Sequence, residues 1–211
     1  MSIAVDSTSN GTDKLGATLT VSHTCASGAL LVVNVASTDG VTTPTVTYNG
    51  DAMTMVASIN GSQMSSFMFV LVSADSGTHD IVATKDIGVD YGLSAISFTG
   101  AAGYSAFNSA NGNSGTASLT TTTATTGNGV VVTGGAKNQV TTVTYTGSGT
   151  EFENFNDVTA QVYVAAYTNF TAGSDVTESW TFTSAKWALT SVEIYEPSAA
   201  ATGGFFFAVD R

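Results

Sequence analysis

Cysteine is nearly missing from this 211-residue chain, and so is positive charge. The single cysteine, Cys25, has no partner for an internal disulfide, so packing alone must hold the fold. His23 is its only nearby ionisable neighbour, which favours a small buried residue over a reactive thiol. The five basic residues, Lys14, Lys85, Lys137, Lys186 and Arg211, are scattered and face 16 acidic ones, a net charge of −11. No basic patch forms, which argues against nucleic-acid binding and against attraction to anionic lipid. No apolar run approaches the roughly 18 residues of a membrane-spanning helix. The residues from Met1 to Asp6 show neither a cationic nor an apolar leader segment, so the expected place of synthesis and folding is a cytoplasm.

Long helical periodicity is missing too. Charged residues make up only 10% of the chain, and Thr, Ser, Asn and Gly take their place, which suits strands and turns. Apolar residues at 43% are enough for a core and argue against disorder. Short β-rich runs recur between turn residues, among them 29–36, 45–48, 66–73, 78–84, 92–99, 129–134, 159–167 and 186–195. Asn49-Gly50 between two such runs predicts a hairpin turn. The run 29–35 alternates poorly and is expected to be buried on both faces.

The runs also repeat. Leu30–Val33 is echoed by Val130–Thr133, Val46–Tyr48 by Val143–Tyr145, Phe67–Val72 by Gln161–Ala166, Ser76–Val82 by Ala172–Thr177, and Tyr91–Phe98 by Trp187–Ile194. The echoes keep their order at an offset of 94 to 100 residues. The fold expected is all-β, a jelly-roll-like antiparallel β-sandwich of two similar interlocked halves. Residues 1–27 would supply an N-terminal arm and first strand. The sandwich would occupy 28–196, with halves at about 28–100 and 128–196 joined by a linker-like 101–127, of which 117–123 can still form an edge strand. Residues 197–211 would form a spacer of small residues and an apolar arm. Two separate small sandwiches are the alternative.

Several of these runs have a familiar ring: Gly28-Ala29-Leu30-Leu31-Val32-Val33, Val46-Thr47-Tyr48-Asn49-Gly50-Asp51-Ala52-Met53-Thr54, Phe69-Val70-Leu71-Val72, Ser76–Thr84 and Gly92–Gly100. Together they resemble β-sandwich modules of phage virion proteins and bacterial surface proteins. The resemblance covers residue 28 to about 195, brings no catalytic residues, and implies a structural role in a virion or, alternatively, on an extracellular surface. The lack of a leader segment favours the virion.

The chemistry expected is correspondingly sparse. No nucleophile elbow, phosphate loop or zinc-protease motif is present, so the expectation is no enzyme and no cofactor. His23 and Cys25, two apart on one strand, would share a face without a third orienting group. His79, at a strand start, reads as a polar residue beside a turn. Glu151 and Glu153 would likewise share a face, near Asp157, a spacing compatible with paired carboxylates but equally with solvated strand charges. Asp86 and Asp90 are candidate ligands for a hard cation. Phe152, Phe155, Tyr167 and Phe170 are candidate glycan-stacking rings, with Tyr104 and Phe107 as further candidates; capping of the core is the alternative. Phe205, Phe206, Phe207 and Val209 form an apolar end that must be covered, either by its own domain or by a neighbouring subunit as an exchanged arm. The expected partners are copies of the chain and other virion proteins, with surface glycans as a further possibility.

Overall fold

A computed structural model describes residues 2–14, 16–38, 43–61, 63–85, 89–125, 127–139, 141–156 and 161–197. The described residues form strands and no helix, and every strand pairing is antiparallel. The first half contributes nine strands: β1 (Ala4–Asp13), β2 (Thr18–Cys25), β3 (Leu30–Thr38), β4 (Thr45–Tyr48), β5 (Asp51–Ala52), β6 (Thr54–Asn60), β7 (Met64–Leu71), β8 (Gly77–Thr84) and β9 (Tyr91–Thr99). The second contributes six, two of them about twenty residues long: β10 (Gly103–Thr122), β11 (Gly129–Asn138), β12 (Thr144–Tyr145), β13 (Thr150–Asn156), β14 (Gln161–Phe170) and β15 (Asp175–Tyr195).

In the first half an inner sheet runs β1-β9-β3-β7-β6 and an outer sheet runs β2-β8-β4-β5. The second half repeats the inner order as β10-β15-β11-β14-β13. Its outer layer is built from the far ends of the same strands: β10 bends at a register shift between Ser114 and Thr116, and residues 116–122 go on pairing with 175–181, which β12 also joins. Even the irregularities repeat. The bulge between Val5 and Ser7 in β1 recurs between Tyr104 and Phe107 in β10. The bulge between Met55 and Ala57 in β6 recurs between Glu151 and Glu153 in β13. A bulge is a specified feature, so its recurrence at matching positions ties the two halves together more firmly than the sequence echo does.

The halves do not interlock as expected. Among the described residues, no strand of one half enters a sheet of the other. Each half instead fills its own interior: Leu31, Val33, Tyr48, Phe67 and Ile81 in the first, and Leu119, Val162, Val164, Trp180 and Leu189 in the second. The two inner sheets then meet face to face through Leu30, Val32, Met68, Ile96 and Phe98 against Val130, Val132, Val192 and Ile194. Four layers result, and the inner two are buried on both faces. That is why β3 is buried along almost its whole length, as its poor alternation predicted. Outer-sheet strands alternate, as in the exposed-buried pattern of β2.

Two stretches differ from the sequence reading. Residues 4–13, expected in an arm, form β1 at the edge of the inner sheet. The linker-like stretch holds the edge strand expected at 117–123, but that strand begins already at Gly103: β10 is 20 residues long, and its small polar side chains suit a strand with one solvated side. The expected Asn49-Gly50 hairpin turn is present, with φ of 51° and 89°.

A polar cluster lies at the centre of the contact between halves. Asn34 Nδ2 donates to Ser66 Oγ (2.8 Å), to Thr190 Oγ1 across the interface (2.9 Å) and to the Phe67 carbonyl (3.2 Å). Ser66 Oγ also donates to the Gly134 carbonyl at 3.2 Å. Gly134 makes room: a Cβ there would sit 2.7 Å from Asn34 Cβ. Asn34 and Gly134 hold matching positions in β3 and β11, so one half brings the side chain and the other the space for it.

Candidate functional site

Two concavities arise where the halves break their own symmetry. The larger is a groove of about 570 Å³ at one end of the second half. In the first half the β7–β8 turn tucks Ala74 into this end, where its N–H bonds the Ala29 carbonyl at 2.8 Å and its side chain joins the core. In the second half β14 continues two residues further, pairing Phe170 with Gly129, and a tight turn follows in which Ser174 N–H bonds the Thr171 carbonyl at 3.2 Å. There Phe170 and Val176 pack over Val131, and outside them the end opens as a groove. Asn128, Ser148, Thr168, Asn169, Asp175 and Glu196 line it, with Phe170, Val130, Val176 and Ile3 as its apolar wall. The lining holds two carboxylates and no Lys, Arg or His. Glu196 Oε1 accepts the Ile3 N–H at 3.3 Å, which pins one rim.

The second concavity follows the seam between the halves. The inner sheets stack with β1 over β13 on one side and β6 against β10 on the other. The first seam is bridged by Asn10 Nδ2 donating to Glu153 at 2.6 Å. The second is open, a groove of about 360 Å³ lined by Met55, Val56, Ala57, Ser58, Phe107, Asn108 and Ser109. Both flanking strands are sheet edges. The bulges in β6 and β10 turn Met55 and Phe107 outward, to 42% and 62% exposure.

The titratable groups inside the sandwiches are engaged in packing. His23 and Cys25 do share the inward face of β2. His23 Nδ1 is 2.8 Å from Ser9 Oγ, while Nε2 has no hydrogen-bond partner among the described residues. Burial lowers the His23 pKa below the ordinary imidazole value, and the charge of Asp6 offsets this in part. Burial also pushes the Cys25 thiol up, away from thiolate chemistry. His79 Nε2 lies 3.1 Å from the Ser76 carbonyl, beside the turn as expected. In the second half Glu178 is fully buried and accepts from the Tyr145 and Thr168 hydroxyls. Burial raises its pKa above the usual carboxylate range, and the two hydroxyl bonds oppose that rise.

The bulge in β13 separates the two carboxylates expected on one face. Glu151 Oε1 takes the Trp180 Nε1–H at 2.8 Å inside the second half, whereas Glu153 turns to Asn10 of the first. Asp157 lies outside the described residues. The aromatic candidates are likewise spread. Phe152 and Tyr167 pack on each other between the halves, with ring centroids 6.3 Å apart, and Tyr167 meets Phe98 edge-on. Phe155 stacks on Tyr163 at 5.3 Å. Phe170 alone of the four lines the end groove. Asp90 contributes favourable charge to Lys85, whose ammonium donates to the Val89 carbonyl and sits 3.9 Å above the Tyr91 ring. Asp86 and the arm residues Phe205, Phe206, Phe207 and Val209 lie outside the described residues. Among the described residues no three His, Cys, Asp or Glu side chains converge as a metal site would need.

Sequence reasoning named Phe107 and Phe170 but not Met55, Asn128, Ser148, Asp175 or Glu196. The groove depends on a turn that is shorter in one half than in the other, which shows only when the two halves are superposed strand by strand. Compared with known protein families, with curated proteins and with solved structures, the chain matches none.

Proposed function

We propose that this protein is a structural component of a virion, such as a capsid-decorating, fibre or tail protein, that acts through contacts between subunits and not by catalysis. Each half is read as a jelly roll. Its pairings β1·β9, β2·β8, β3·β7 and β4·β5 are those of one long antiparallel ribbon wrapped into two sheets. In the second half the ribbon is nearly literal, since β10 and β15 pair along almost their full lengths. Two such units stacked through a shared apolar face make a stiff block suited to assembly.

The observation that carries the reading is the open seam. It offers exposed Met55 and Phe107 between two unpaired strand edges, a place where an extended apolar segment can add as a strand. The chain carries such a segment in Phe205–Val209. Fourteen residues follow Pro197, enough to span up to about 45 Å at about 3.3 Å per residue. Exchange of this arm into the seam of a neighbouring copy would cover both apolar surfaces at once. Deleting Gly203–Arg211, or introducing Phe107→Asp, should leave a folded β-protein by circular dichroism that sediments as a smaller species than the full chain. If both variants sediment as the full chain does, the assembly reading fails.

A further inference from the structure

We propose that the groove at the open end of the second half is a binding site for a neutral saccharide. The inference goes beyond the assembly reading and does not depend on it. Its volume of about 570 Å³ falls in the range of small-ligand sites, about 300–1,000 Å³. The lining gives the class of ligand. The side-chain amides of Asn128 and Asn169 both donate and accept, the carboxylates of Asp175 and Glu196 accept, and Ser148 adds a hydroxyl. Thr168 commits its hydroxyl proton to the buried Glu178, so toward the groove its oxygen is an acceptor. Such a set matches a molecule dense in hydroxyl groups. Phe170, Val130 and Val176, largely buried, form the floor beneath these polar groups, and half-buried Ile3 adds an apolar rim. Two carboxylates with no cation among the lining residues repel phosphates, sulfates and acidic sugars, which leaves neutral glycans.

The site is particular to one half. The first half has the same strands but fills the equivalent end with Ala74 and closes it with the bond to Ala29. The binding function therefore belongs to the second half alone, with a stoichiometry of one per chain.

The test is a printed array of neutral and acidic glycans probed with the full chain, followed by calorimetric titration of the best neutral glycan. Asn169→Ala and Asp175→Ala alter exposed side chains of the groove and should leave the fold intact, as thermal melting would verify. The expected result is binding of one neutral glycan per chain, weakened about tenfold or more by either substitution, the equivalent of losing one good hydrogen bond of about 1.4 kcal/mol. Thr20→Ala, on the exposed face of β2 in the first half, should bind as the full chain does. Silence of the whole array, binding confined to acidic glycans, or unchanged affinity in both groove variants would each overturn the proposal.

Discussion

Glu178 is the side chain whose burial makes the clearest demand on its surroundings. Its two hydroxyl donors carry no charge, so the carboxylate form is held in the interior without a counter-ion. Because its folded pKa is raised, its favourable contribution is complete below the ordinary carboxylate value of 4.5 and is lost as pH climbs through the folded value. Glu178→Gln should therefore raise the melting temperature relative to the parent chain by more at pH 8 than at pH 5. Glu178→Ala, which strands both hydroxyls, should cost about 1–3 kcal/mol in denaturant titrations. His23 works in the opposite sense. Its lowered pKa means that its contribution is present above 6.5 and drains away as pH falls toward the folded value. His23→Leu, the residue type that stands opposite Glu178 in the second half as His23 stands opposite His79, should flatten that acid slope in melts run from pH 7 downward. The sequence named His23 and the Glu151/Glu153 pair. What each one faces was hidden, because strand alternation predicts sides only until a bulge reverses them, as happens between Glu151 and Glu153.

Among the elements, β3 and β11 show best what patterning could reveal. The poor alternation of 29–35 announced burial of β3 on both sides, and the structure places β3 and its echo β11 at the centre of the two inner sheets. β10 shows the reverse. Beyond the edge strand expected at 117–123, its Gly, Ser, Asn and Thr residues read as a linker, yet from Gly103 onward they form one edge strand that bends once and serves both layers. Composition failed there because an edge strand with a solvated flank has the same polarity as a loop. The match between β3 and β11 also sets the register of the halves. Gly134→Ala should drive a methyl group into Asn34 and cost about 1–3 kcal/mol. Asn34→Ala in the same background should recover part of that loss, a coupling that a double-mutant cycle measures directly.

The whole molecule is organised as a pair of alike units related by an approximate two-fold arrangement, since β1 meets β13 where β6 meets β10. Such a self-complementary contact is typical of a dimer, here contained within one chain. The internal echo in the sequence revealed the duplication. It could not tell stacking from interlocking, because both bury the same apolar positions. The shared face leaves neither inner sheet able to stand in water alone, so calorimetry should record one cooperative transition with equal calorimetric and van't Hoff enthalpies. Two resolved transitions would mean that the halves are energetically separate.

The bond between the Ile3 N–H and Glu196 brings the first and last described strands to one pole of the molecule. A peptide bridge across that pole, with new ends opened at the Asn49-Gly50 hairpin, should give a circular permutant that keeps the parent β-sheet spectrum. By the same geometry the block can be hung as a pendant from a loop of another polypeptide, both leads leaving side by side and the opposite pole facing outward.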